Sequence, residues 1–193
     1  MGDQDLSGVQ LLIAAVNALK NNRRGRDCMI FPPDWQSPPA NGEAVAMDTA
    51  TLQKYLHDHI PLSRAIEVEV VEATDNGVTL AAPLAPNINH RETVFGGSAS
   101  AVAILSAWTL MYLRLKREQL NVRIVIQKNT MTYERPITGR FIASAAVSDA
   151  AAWRRFVDTV RRKSRGRFTV RSVLYCHTEK VGEFDGDFVA SIL

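Results

Sequence analysis

The sequence predicts an α+β fold in which a curved antiparallel sheet wraps one long central helix. Three observations carry this: a helical stretch at 98–117 that is apolar on every side, β-type alternation both before and after it, and turn residues separating the alternating runs. In the helical stretch Ala99, Ala101, Val102, Ala103, Ile104, Leu105, Ala107, Trp108, Leu110, Met111, Tyr112 and Leu113 cover all angles. A helix apolar all round is enclosed by protein or by lipid. The uninterrupted apolar run is shorter than the roughly 18 residues that suggest a membrane span. It also closes in Arg114, Lys116 and Arg117, so enclosure by protein is expected and a membrane span is not.

In chain order, residues 1–46 form an N-terminal extension. An apolar patch at 9–16 suits a short helix, and the prolines of 31–39 make a linker with Phe31 and Trp35 as anchors. Docking appendage and flexible leader both fit. Asp3 and Asp5 precede the apolar patch and the positive charge follows it, the reverse of a secretory signal. Residues 47–193 form the folded domain. Ile66, Val68 and Val70 alternate with Glu67 and Glu69, and beyond Asp75-Asn76-Gly77 the run 78–82 completes a hairpin. After the helix, strands are expected at 122–133, at 141–147 beyond Pro136 and Gly139, at 168–177 and at 181–192. A short amphipathic helix at 151–162 interrupts them.

The chemistry points to the loop 89–97, Asn-His-Arg-Glu-Thr-Val-Phe-Gly-Gly, which runs straight into the apolar helix. Two glycines at a helix start leave backbone N–H groups unshielded, and the helix dipole adds partial positive charge. Such a place can hold an oxyanion. A tight turn with close packing is the plainer explanation of the same pair.

These residues resemble the hotdog-fold acyl-CoA thioesterases. The stretch from about Met47 to Leu193 is most similar to the thioesterase-type domain found C-terminal to acetyltransferase domains. The resemblance rests on the spacing of Asn89 to Phe95-Gly96-Gly97, on the segment 133–139 with Pro136 and Gly139, and on the closing segment 184–190. It implies hydrolysis of an acyl thioester of coenzyme A or acyl carrier protein, without a cofactor. Gly96 and Gly97 N–H groups would form the oxyanion hole, with Asn89 positioning substrate or water. Where many such enzymes carry an acid inside the helix, this chain has Ile104, and 98–117 holds no carboxylate. Glu92, or His90, is then the candidate for water activation. The alternative reading of both is a solvated loop. His90, Thr93, Phe95, Lys128 and Asn129 are expected along the bound substrate, the last two across the interface of a homodimer or homotetramer. An acyl-CoA or acyl-carrier binding module without hydrolysis is the rival function.

The remaining features exclude more than they assign. A net charge of +3 on 193 residues is mild and comes from Arg154, Arg155, Arg161, Arg162, Lys163, Arg165 and Arg167. That run suits a solvated helix face, coenzyme A phosphates or an acidic carrier protein. Nucleic acid is not expected, since aromatic interleaving and known binding motifs are missing. Cys28 and Cys176 form no ligand-spaced pair and fit a reducing, cytoplasmic setting, with Cys176 a buried thiol. Metal-binding and nucleotide-binding motifs are missing too. Gly96-Gly97-Ser98-Ala99-Ser100 falls one glycine short of a serine-hydrolase elbow. His57 and His59 read as surface residues, and His177 as lying on a strand face.

Overall fold

The computed structural model describes residues 48–74 and 76–193. The expected extension at 1–46, with its boundary, Cys28, Phe31 and Trp35, lies outside the described residues. The elements are α1 (Thr49–His59), α2 (Pro61–Ala65), β1 (Glu69–Ala73), β2 (Gly77–Ala82), a 3-10 turn (Ala85–Asn87), α3 (Gly96–Arg117), β3 (Val122–Tyr133), β4 (Phe141–Ala146), α4 (Ala150–Lys163), β5 (Arg165–Cys176) and β6 (Glu179–Ile192). The six strands form one sheet in the order β1-β2-β4-β5-β6-β3, antiparallel throughout. The chain leaves β2 through α3, lays β3 at the far edge, and returns to fill the gap with β4, β5 and β6.

Alternation sets the enclosing face. On β5 Gly166, Val170, Ser172, Leu174 and Cys176 are buried while Arg165, Arg167, Thr169 and Arg171 are exposed. On β6 Phe184, Gly186, Phe188 and Ala190 turn inward. Gly186 sits between the two phenylalanine rings, where an added Cβ would lie 2.5 Å from one and 2.9 Å from the other. Against this face packs α3, its Ala99, Val102, Ala103, Ala107, Leu110 and Met111 fully or almost fully buried. Small residues on the helix allow the sheet to close around it. Polar contacts there are few: Ser106 Oγ is 2.8 Å from Ser172 Oγ and donates to the Ala103 carbonyl at 2.9 Å, and Trp108 Nε1 donates to the Ile124 carbonyl at 3.4 Å.

By length and apolarity α3 would suffice to cross a membrane, a longer element than the apolar run alone suggests because it starts at Gly96. Of its most apolar window 61% is buried within the fold, where it serves as the core helix.

The helices α1 and α2 were not legible as elements. Asp48 caps α1, its carboxylate accepting from Thr51 N–H, and Pro61 opens α2. A stack of rings, Tyr55 on Tyr112 at 5.2 Å and Tyr112 on Trp108 at 5.3 Å, fastens α1 to α3. His59 is exposed, as read, while His57 is half-buried. His57 Nε2 lies 2.8 Å from the Val68 carbonyl, and His59 stacks on Tyr55. The first strand also begins later than its alternation suggests. Ile66, Val68 and Val70 are buried as expected, but Glu67 adopts a φ of 53° in the turn that ends α2, and pairing starts at Glu69. His177 likewise leaves its strand: it sits exposed in the turn between β5 and β6 with a φ of 55°.

At its far end the sheet is closed by α4, which buries Trp153, Phe156, Val157 and Val160. Trp153 meets Phe168 edge-on and receives the Arg114 guanidinium 4.4 Å from its ring centre. The basic run lies on the opposite, exposed face of α4 and on the start of β5. Arg161 pairs there with Glu118 at 2.8 Å.

Candidate active site

The loop before α3 is held by its own backbone and by the side chains of Asn89 and Asn87. Ile88 bridges to Val94, and Val94 N–H donates to the Ile137 carbonyl at 2.8 Å. Phe95 N–H donates to the Asn87 carbonyl at 2.7 Å. Between these ties Asn89 closes the loop. Its Nδ2 donates to Thr93 Oγ1 at 3.0 Å and to the Val94 carbonyl at 3.3 Å, while its Oδ1 accepts from Arg91 N–H at 2.7 Å and Thr93 N–H at 3.4 Å. Both amide hydrogens and both lone-pair directions are thus engaged. The expectation that the Asn89 amide itself meets substrate or water differs from this geometry, in which Asn89 shapes the loop.

Beneath Asn89, Asn87 is 2% exposed and donates to the Pro83 carbonyl at 2.8 Å and the Ile66 carbonyl at 3.1 Å. It anchors the loop to the end of α2. Sequence reading passed over it, since an asparagine inside an apolar, proline-bounded segment carries no chemical signature.

At the mouth itself Phe95 occupies the N-cap with extended backbone and gives no side-chain capping bond. An apolar residue there leaves the first helical N–H groups without the acceptor that Ser, Thr, Asp or Asn supplies. Gly96 and Gly97 N–H groups have no acceptor among the described residues. Neither glycine has a positive φ, so a left-handed backbone does not explain them. Space does: an added Cβ on Gly97 would lie 2.3 Å from the Phe95 ring, and one on Gly96 3.3 Å from the Tyr133 ring. Two aromatic rings thus lie against the two glycines.

Tyr133, at the end of β3, also donates its hydroxyl to the Gly96 carbonyl at 2.7 Å. Partial burial raises the phenol above its ordinary range, so it stays a donor at neutral pH; a hydroxyl contact with Ser100 opposes the shift. Ile88, Phe95 and Tyr133 are among the exposed large apolar side chains, which gives the mouth an apolar rim.

The titratable candidates sit on the loop. Glu92 is exposed at its tip with a φ of 59°, a conformation that costs a non-glycine residue on the order of 1 kcal/mol. Its carboxylate has no partner among the described residues. His90 is exposed and accepts from Arg91 Nε at 3.3 Å. Thr93 is half-buried, its hydroxyl serving Asn89.

Lys128 and Asn129 are exposed on β3, paired in register with Asp187 and Gly186 of β6. Five residues separate Lys128 from Tyr133, so it stands about 17 Å along the strand from the mouth at the usual rise of about 3.4 Å per residue. Within one protomer the structure does not bring Lys128 and Asn129 to Gly96 and Gly97.

Ile104 is half-buried in α3, and no carboxylate rises from that helix toward the loop. Among the described residues no three His, Cys, Asp or Glu side chains gather to hold a metal. Two surface grooves lie elsewhere. One of about 470 Å³ runs between α1 and β1, and one of about 760 Å³ lies beside α4 with Arg155, Arg167 and Arg171 on its walls. Neither is lined by the glycine pair.

With this geometry in hand, comparisons with known proteins are informative. Residues 49–192 match the YiiD_C family model, described as "Putative thioesterase (yiiD_Cterm)". Among solved structures, one of a protein of unknown function from Chlorobaculum tepidum TLS is 26% identical with a TM-score of 0.70, covering 76% of this chain and 98% of that one. The "putative thioesterase" from Shewanella oneidensis is 25% identical with a TM-score of 0.67, covering 75% and 97%. A "probable thioesterase" from Pseudomonas aeruginosa, at 18% identity and a TM-score of 0.66 over 75% and 96%, shares the fold. Matched over three quarters of its length, the chain belongs to the YiiD_C family and is a hotdog-fold thioesterase, a hydrolase of thioester bonds.

Proposed function

We propose that the enzyme hydrolyses an acyl thioester of coenzyme A or acyl carrier protein at the mouth of α3. The observation that carries this reading is the uncapped helix start, where Gly96 and Gly97 N–H groups lack an acceptor behind an apolar N-cap. In the reaction water attacks the thioester carbonyl carbon and passes its proton to the Glu92 carboxylate, with His90 as the other candidate base. The oxygen that becomes an anion is received by the two N–H groups, each such donor contributing about 2.7 to 4 kcal/mol of transition-state stabilisation. The C–S bond then breaks, the thiolate takes the proton back, and a carboxylic acid and a thiol leave. Asn89 and Thr93 act in this scheme by fixing the loop, and Phe95 lies along the acyl chain.

The site is completed by a second copy in a homodimer or homotetramer. Among the described residues the strand β3 is an edge of the sheet, paired only with β6, and twelve residues long. An unpaired edge of that length invites a partner strand. Lys128 and Asn129, too far from their own mouth, would then serve the pantetheine arm at the partner's.

The test is thiol release from a series of acyl-CoA and acyl-carrier substrates by Glu92→Gly and His90→Ala proteins. Glycine at 92 accepts the positive φ and removes only the carboxylate. Turnover is expected to fall about a hundredfold or more, as for loss of a general base, while stability holds or rises by about 1 kcal/mol. Full turnover by both variants overturns the assignment of the base.

A further inference from the structure

We propose that Tyr133 is a positioning residue for thioester hydrolysis, acting through the peptide group that joins Gly96 to Gly97. The inference rests on the oxyanion reading above. The Gly96 carbonyl and the Gly97 N–H are the two ends of one planar, conjugated unit. The Tyr133 hydroxyl donates to that carbonyl at 2.7 Å from the end of a strand 37 residues away in sequence. A hydrogen bond accepted at the carbonyl draws electron density from the nitrogen and makes its N–H a stronger donor, by about 10–30% for bonds linked in this way. The glycine at 96 is what admits the contact, because the phenol ring already stands 3.3 Å from where a Cβ would be. Tyr133 also ends the edge strand β3, so the polarising hydroxyl is carried by the strand proposed to pair with a second copy. The residue does not have to touch the substrate. It makes Gly97 N–H a better match for an anion than for a neutral carbonyl, the kind of difference that raises kcat rather than binding.

The experiment uses the full chain and the Tyr133→Phe protein, which keeps the ring against Gly96 and removes the hydroxyl. In ligand-free protein the Gly97 amide proton resonance is expected to move upfield, while core amides such as that of Ala103 stay in place and thermal stability is unchanged. In turnover of the preferred thioester, kcat is expected to fall about two- to eightfold with KM unchanged, a fraction of the contribution of a whole oxyanion donor. An unmoved Gly97 resonance, an unchanged kcat, or a loss expressed in KM instead overturns the proposal. If unsubstituted protein releases no thiol while the resonance still moves, the oxyanion reading itself has failed and takes the proposal with it. An unmoved resonance in an active enzyme removes the role of Tyr133 alone.

Discussion

The body of α3 and its mouth are parts of one helix built on opposite terms. In the body Val102, Ala103, Ala107, Leu110 and Met111 are sealed against the sheet, and the contacts are mainly apolar, with the Ser106–Ser172 pair and the Trp108 indole N–H on the Ile124 carbonyl as polar exceptions. At the mouth the first residues are exposed or half-buried, the cap is an exposed phenylalanine, and order comes from hydrogen bonds to Asn89, Asn87 and Tyr133. Volume holds one end and directed bonds hold the other. A packed body supplies a rigid base, while the N–H groups at the mouth have no side-chain cap and, in the proposed function, receive the substrate oxygen. On the proposed function, stability and chemistry are thereby separated along the helix.

Substitutions can break or sharpen that separation. Replacing Phe188, fully buried on β6, by alanine should cost about 3–5 kcal/mol in denaturant unfolding and leave kcat per folded molecule unchanged. A fall in kcat there would show that the body also tunes the mouth. Ser106→Ala should cost about 1–3 kcal/mol because Ser172 loses its partner in the core. The double variant Ser106→Ala/Ser172→Ala should recover part of that loss, and additive costs would mean the hydroxyls are not coupled. Asn89→Ala should be the mildest to the fold, about 1 kcal/mol for a half-buried loop side chain. Its signature should instead appear in thiol release, with kcat falling about tenfold as the loop loosens. An intact kcat with a large stability loss would place Asn89 with the body.

How much of this was legible in the sequence follows the same division. The all-round apolar character of 98–117 announced a buried helix, and alternation at 122–133, 141–147, 168–177 and 181–192 announced strands, each within a few residues of its observed limits. These signals are local and periodic. The helices of 49–65 escaped notice because their apolar faces are short and their caps, Asp48 and Pro61, are single residues. His57, half-buried, and His177, in a turn, were misplaced for a related reason, whereas His59 is exposed as read. A histidine's place depends on the carbonyl, ring or turn it finds, and spacing does not encode that.

In the candidate site, the glycine pair and the loop before it were recognisable as a motif, and Glu92 stood out as the nearest carboxylate. The internal use of the Asn89 amide was not visible, because its four partners depend on how the loop folds back on itself.

Residue order alone determined that a helix must be enclosed, which faces of the strands enclose it, and that a glycine pair stands at its start. Each of these follows from side-chain period or from the backbone freedom of one residue type. Tertiary structure decided that Phe95 and Tyr133 rings lie against those glycines, that Asn87 ties the loop to α2, and that Lys128 stands far along the strand from its own helix mouth. Those outcomes depend on strand register and on contacts between residues distant in the chain, which only the folded sheet brings together.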